Sequence, residues 1–178
     1  AEEAEKNDED PEEVTGYVRI GESQIIYEIS ESVCDSIFAA SYDELRHRKV
    51  LTADFEDIYQ LDISLEGNNY TVLTDKEDEN ERIWTYQEEE IEITDIKTSL
   101  KNLSADNADS FVVEDSSGTE EISLTVYLDN ETYPKVKIEL YRYDGTNCLA
   151  KVDGKTFALI PRSDVVDLIE AVNSIVLN

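Results

Sequence analysis

The sequence predicts an α+β fold, in which antiparallel sheets are built from repeated β-hairpins and each hairpin is followed by a helix. Apolar and polar residues alternate in short runs that Gly, Asn and Asp separate, as in strands with one buried face. After three of these stretches the apolar residues recur every three or four positions, as in amphipathic helices. Since helices would cover the apolar face of the strands, we expect two similar lobes with this plan.

The first hairpin–helix stretch covers residues 16–45. Strands are predicted over 17–20 and 25–29, on either side of a turn. Ser32, three residues before Asp35, resembles a capping box that opens a helix. The apolar face of that helix is predicted to contain Val33, Ile37 and Ala40.

The last stretch repeats this order. Strands at 150–152 and 156–160 flank the turn signal Asp153-Gly154, and Ser163 is suited to cap the helix that follows. Apolar residues at helical spacing then continue towards the C-terminus. This order matches the first stretch closely enough to predict an internal repeat.

The middle of the chain adds further strands and one helix. Thr94 or Asp95 is expected to cap the helix. The strands that follow it join the last hairpin in a predicted four-stranded meander, which ends in the C-terminal helix. The expected strands of the middle region lie at 61–65, 70–72, 83–86, 122–128 and 136–140.

The length of 178 residues suits one domain. Residues 1–14 are polar and acidic without any periodicity, which predicts a disordered tether. The remainder, 15–178, is predicted to be a single α+β domain with two lobes, at about 15–104 and 105–178.

The charge of the chain limits its partners. The sequence has 43 Asp and Glu against 15 Lys and Arg, a formal net charge of -28. Such a surface repels the phosphate backbone of nucleic acids and anionic lipid headgroups. The acidity serves solubility, or else it favours a cationic partner or loosely held cations.

Two further features concern the cellular compartment. No apolar run approaches the roughly 20 residues that cross a bilayer, and the sequence contains no Met. We therefore expect that an N-terminal hydrophobic segment is missing and that it tethers the domain outside the cell membrane. Cys34 and Cys148 fit no metal-binding or redox spacing and are expected to be free thiols, although one disulfide is an alternative in an oxidising compartment.

No motif marks the chain as an enzyme. His47 is the only histidine, so no second one is present to share a metal ion or to complete a triad. The acidic run 75–81 lacks the residue order of an EF-hand. Carboxylates are too numerous to single out a glycosidase pair. We expect no catalytic residue, no metal site and no cofactor.

Two groups of residues are candidates for binding. Arg46, Arg48 and Lys49 form a basic island, which would contact acidic groups of a partner or pair with the chain's own carboxylates. Trp84 and Tyr86 alternate on a predicted strand, where they would be either core residues or a platform for a sugar.

The stretch 42–51 (Tyr-Asp-Glu-Leu-Arg-His-Arg-Lys-Val-Leu), with Phe55 and the pair at 57–58 after it, resembles the domain of unknown function 4340 family. The later hairpin, Trp84 and the closing strand–turn–strand–helix follow in that family's order, so the likeness covers nearly everything after the tether. One departure lies at 87–90, where a Pro of the family pattern is missing. The resemblance implies a bacterial envelope protein with one N-terminal membrane segment, in some cases beside ABC-transporter components, and implies no activity.

These observations predict a non-enzymatic, extracytoplasmic accessory or scaffold module that binds or positions another envelope protein, such as an ABC-transporter-associated component. The alternative is a cell-surface domain that binds a small ligand or a polysaccharide through a concave aromatic patch around Trp84. An enzyme with paired carboxylates is a third hypothesis, and it requires two buried acids with raised pKa values in a cleft.

Overall fold

The computed structural model describes residues 16–74, 82–111, 113 and 118–177. The predicted tether 1–14 and the acidic run 75–81 lie outside the described residues. The chain divides at Leu45 into two units. We call the described residues 16–45 the N-terminal unit and the described residues from Arg46 onwards the sheet unit.

The N-terminal unit is a small hairpin with helices. Gly16 approaches α1 so closely that a Cβ atom here would overlap the Cys34 sulfur, so a larger residue would force the Cys34 side chain to move. The backbone N–H of Ser41 donates to the Glu44 carboxylate, and the N–H of Glu44 donates to the Ser41 hydroxyl, which forms a reciprocal cap. The elements are β1 (Gly16–Val18), β2 (Tyr27–Ile29), α1 (Glu31–Ala39) and the single-turn α2 (Tyr42–Leu45).

The sheet unit contains eight antiparallel strands in one sheet. Their order across the sheet is β10-β9-β8-β7-β3-β4-β5-β6, so two four-stranded meanders meet where β7 pairs with β3. The strands are β3 (Ile58–Leu65), β4 (Asn68–Thr74), β5 (Trp84–Tyr86), β6 (Glu89–Ile91), β7 (Glu120–Leu128), β8 (Lys135–Arg142), β9 (Asn147–Val152) and β10 (Lys155–Pro161).

The centre of the core is the pair β3–β7. Leu61 lies opposite Val126 and Ile63 opposite Leu124 on adjacent strands. All four side chains are buried, because alternate residues of both strands point to the same face. The apolar alternation in the sequence therefore places this face against the helices.

Each meander is followed by a helix on that buried face. α3 (Thr94–Asn102) buries Ile96 and Leu100, and α4 (Arg162–Val176) buries Val165 and Leu168 among others. The two helices pack against each other and against the strand residues of one continuous core. The Glu92 carboxylate accepts a hydrogen bond of 3.1 Å from the N–H of Thr94, and thereby caps α3.

The α+β class with antiparallel sheets and the C-terminal meander are confirmed. The internal repeat of hairpin–helix units is not evident, because β1 and β2 form a separate two-stranded sheet whereas strands from both predicted lobes join a single sheet. Strand β6 was not predicted. The turn before it carries Gln87 and Glu88 at positive φ, where the sequence has no Gly or Asn to signal a tight turn.

Truncation of the central pair is expected to be costly. Leu61 is fully buried, so Leu61→Ala should lower the free energy of unfolding by about 2–5 kcal/mol. The control Leu73→Ala, on the neighbouring strand but 44% exposed, should change it by no more than about 0.5 kcal/mol. Urea unfolding of both variants measures the difference, and equal losses would contradict a core centred on β3 and β7.

Candidate functional site

The N-terminal unit presents an exposed apolar surface. Among the described residues, ten of the fifteen large hydrophobic side chains that are exposed belong to it. A concentration of apolar side chains of this kind marks an interaction site more often than single exposed ones do. The surface consists of Tyr17, Ile20, Ile25, Ile26, Tyr27, Val33, Ile37, Phe38, Tyr42 and Leu45.

Helix α1 supplies the single most exposed side chain of this apolar surface. Phe38 is 87% exposed, and Val33 and Ile37, one helical turn apart, are exposed as well. The helix start is satisfied locally, since the N–H groups of Val33 and Cys34 donate to the carbonyl of Ser30. The backbone groups at the start of α1 are therefore hydrogen-bonded, whereas its large apolar side chains remain exposed to solvent.

The N-terminal unit has no core of its own. None of the residues 16–42, 44 and 45 is buried. Its strands are three residues long and α1 has nine residues, lengths at which an isolated hairpin or helix is marginal in water. Burial of a large apolar side chain contributes about 1.5–3 kcal/mol, so a surface that covered several of them would stabilise the unit strongly.

The charge around the apolar surface is acidic. Residues 16–45 contain six Asp or Glu and one basic residue, Arg19. A complementary surface would combine apolar contacts with a cationic rim, since like charges across an interface are unfavourable.

The basic island lies at the start of the sheet unit and contacts that unit's own residues. The Arg48 guanidinium donates to the carbonyl of Asp106 at 3.0 Å, and the Arg46 guanidinium lies 4.2 Å from the centre of the Phe111 ring. The backbone of Lys49 forms a β-bridge with Ser104. Arg48 thus contacts a backbone carbonyl and Arg46 an aromatic ring, so at least these two side chains stabilise the sheet unit.

Trp84 is a core residue, only 4% exposed, and its ring packs 5.5 Å from that of Phe55. Tyr86 is half-buried and packs edge-on against Tyr70. A cleft of about 600 Å³ adjoins Trp84. Lys97, which lines this cleft, forms an ion pair with Glu56, with 2.7 Å between Lys97 Nζ and Glu56 Oε1. The cleft therefore borders Trp84 without offering its ring face as a stacking platform.

Glu121 forms the most buried charged cluster among the described residues. Its side chain is 8% exposed and accepts hydrogen bonds from Arg142 at 2.5 Å and Arg162 at 3.1 Å. Burial raises the pKa of Glu121, but the bonds to the two guanidinium groups outweigh this and leave the pKa below its ordinary value. The ionised Glu121 carboxylate and its two arginines thereby connect β7, β8 and α4.

Both cysteines are free thiols. Burial, together with the nearby Glu121 carboxylate, raises the pKa of Cys148 to about 12, so its thiol is a poor nucleophile. Cys34 is half-buried in the N-terminal unit. The His47 Nδ1 accepts a hydrogen bond from the N–H of Lys49 at 3.2 Å. We interpret Cys34, His47 and Cys148 as structural residues.

Two kinds of site are absent from the residues that the structure describes. No cluster of three or more His, Cys, Asp or Glu is arranged to hold a metal ion in that part of the chain. Nor does any of its helices have the length and apolar composition for a membrane crossing.

No protein-family model, curated protein or solved structure matches this chain. The resemblance to the domain of unknown function 4340 family therefore stays a prediction.

The exposed apolar surface was not identified from the sequence. The periodicity of Val33 and Ile37 indicates an apolar helix face but does not reveal what covers it. The only available signal was the density of apolar residues: twelve of the 30 residues in the N-terminal unit are large and apolar, in a chain of high charge.

The basic island is expected to act on stability. Arg46→Glu together with Arg48→Glu should lower the free energy of unfolding by about 1–2 kcal/mol, because a hydrogen bond and a cation–π contact are lost. Lys49→Glu alone should be nearly neutral, since its backbone bridge is kept. Thermal unfolding measures both, and an unchanged midpoint in the double variant would show that the island does not serve the fold.

Glu121→Gln should produce a pH-dependent loss of stability. Because the folded-state pKa lies below the ordinary 4.5, the carboxylate stabilises the fold above that pH and loses this effect as pH falls through the folded-state pKa. At pH 7 we expect Glu121→Gln to lower the free energy of unfolding by about 1–2 kcal/mol, a loss that solvent screening of the half-exposed Arg142 limits. The loss should shrink below pH 4.5.

Urea unfolding at pH 7 and at a pH below 4 tests this expectation. Glu90→Gln, on the exposed part of β6, is the matched control and should have little effect at either pH. A loss for Glu121→Gln that did not depend on pH would rule out the ion pairs as its cause.

Proposed function

We propose that this chain is a non-enzymatic, extracytoplasmic accessory module, which binds another envelope protein through the apolar surface of the N-terminal unit. The observation that carries the proposal is that this unit exposes ten large apolar side chains and buries none of residues 16–42, 44 and 45. A partner that covers α1 and the hairpin would supply the core that the unit lacks.

The charge of the chain favours a protein over other occupants of this surface. Anionic membranes would be repelled by a chain with a net charge of -28, and so would nucleic acids. A second copy would bring two such charges together. A different protein, with an apolar groove and a rim of Lys or Arg, combines both required features.

The envelope location is supported by the family resemblance, which implies a membrane-tethered protein, in some cases beside ABC-transporter components. An accessory role of that kind requires a docking surface and no catalytic cluster. Binding of an apolar helix face in a groove of the partner is a common recognition mode that fits α1.

Capture from native envelope fractions tests the proposal. Phe38→Asp should reduce recovery of the partner at least about tenfold, since it places a charge in an apolar contact worth more than 1.4 kcal/mol. Tyr133→Asp, at a 68% exposed tyrosine of the sheet unit, is the matched control and should recover as much partner as the unchanged chain. The purified partner should then bind directly, and more weakly as salt increases.

Three other results would contradict the proposal. Equal recovery with Phe38→Asp and with the control would show that the captured protein binds elsewhere. A homodimer that Phe38→Asp dissociates, measured by ultracentrifugation of the isolated chain, would identify a second copy as the occupant. Binding to phosphatidylcholine vesicles that Phe38→Asp abolishes would identify a lipid surface.

A further inference from the structure

The face of the sheet opposite α3 and α4 carries an ordered array of short polar side chains. Cross-strand pairing aligns Asn69, Ser64 and Ser123 in one row, and Thr71, Asp62 and Thr125 in the next. These short side chains line a shallow groove of about 340 Å³ across β3, β4, β7 and β8. We call this region the polar face.

Charges on the polar face nearly balance one another. The carboxylates of Asp62, Glu90, Glu120 and Glu139 are accompanied by three lysines of β8 and β9, Lys135, Lys137 and Lys151. Lys137 pairs with Glu139 at 2.7 Å, and Lys151 lies 5.2 Å from the centre of the Tyr141 ring. In a chain with a net charge of -28, these residues together carry a formal charge of only -1.

Tyrosine side chains lie on the polar face beyond both ends of the groove, without lining it. Tyr59 and Tyr127 pack 6.2 Å apart at one end, and Tyr141 lies near the other. The spacing of strand residues puts roughly 20 Å between the two ends. The Asp62 carboxylate accepts hydrogen bonds from Gln60 and Thr71, both 2.9 Å long, so the groups beside the tyrosines are held in place.

From this arrangement we infer that the polar face binds a neutral polysaccharide chain. Pyranose rings present an apolar side to an aromatic ring and hydroxyl groups at their edges. Tyr59, Tyr127 and Tyr141 supply the aromatic surfaces, and the Ser, Thr and Asn side chains supply donors and acceptors. A nearly balanced charge neither attracts nor repels such a ligand. The binding site is therefore separate from the apolar surface and from Trp84, where the sequence suggested a sugar platform.

Calorimetric titration of the full chain with cellohexaose and chitohexaose, and with an anionic hexamer of galacturonic acid, tests the inference. A neutral hexasaccharide should bind and the anionic one should not.

Tyr127→Ala should weaken the binding about tenfold through loss of a stacking surface. Thr125→Tyr, which fills the groove and removes no contact of the core, should weaken it as well. Tyr133→Ala, at a tyrosine in the turn after β7, should leave it unchanged.

Absence of binding to both neutral hexasaccharides would overturn the inference, and so would a preference for the anionic one. Binding that neither Tyr127→Ala nor Thr125→Tyr weakens would place the sugar elsewhere. Thermal unfolding of each variant separates a lost site from a lost fold. The outcome is independent of capture through Phe38, so this inference and the proposed protein partner fail or stand separately.

Discussion

The pairing of β3 with β7 is the constraint on which the rest of the sheet unit depends. It joins two four-stranded meanders into one sheet and places Leu61, Ile63, Leu124 and Val126 at the centre of the core. Because both meanders present their apolar residues to the same face, α3 and α4 lie side by side and share one core. On the opposite face, β3, β4, β7 and β8 carry mostly polar residues, whose charges nearly balance although the chain as a whole is strongly acidic.

The N-terminal unit and the sheet unit are stabilised in different ways. In the sheet unit the described buried side-chain nitrogen and oxygen atoms all have hydrogen-bond partners, and its apolar residues are packed. The N-terminal unit has local caps and a two-stranded ladder, but its large apolar side chains are exposed. A structure of this kind gains most of its stability when another surface covers it, which gives the proposed protein partner a thermodynamic role as well as a functional one.

Local sequence patterns predicted the elements of the sheet unit better than their arrangement. Alternation at Leu61, Ile63 and Leu65 indicated β3, and the stripe through Val165 and Leu168 indicated α4. The β3–β7 pair joins residues some 60 positions apart in the sequence, and no local pattern specifies such a contact. Periodicity likewise identified an apolar face on α1 without showing that it is exposed. Among the candidate site residues, Trp84 was predicted as either core or platform, and burial decides for the core.

The central claim is that the N-terminal unit is completed by a partner. Amide hydrogen exchange of the full chain, alone and with the captured envelope protein, tests it most directly. We predict that the amides of α1 exchange rapidly in the isolated chain, while those of β3 and β7 are strongly protected, and that the partner slows exchange in α1 selectively. Protection of α1 equal to that of β3 in the isolated chain, with no change on binding, would contradict the account.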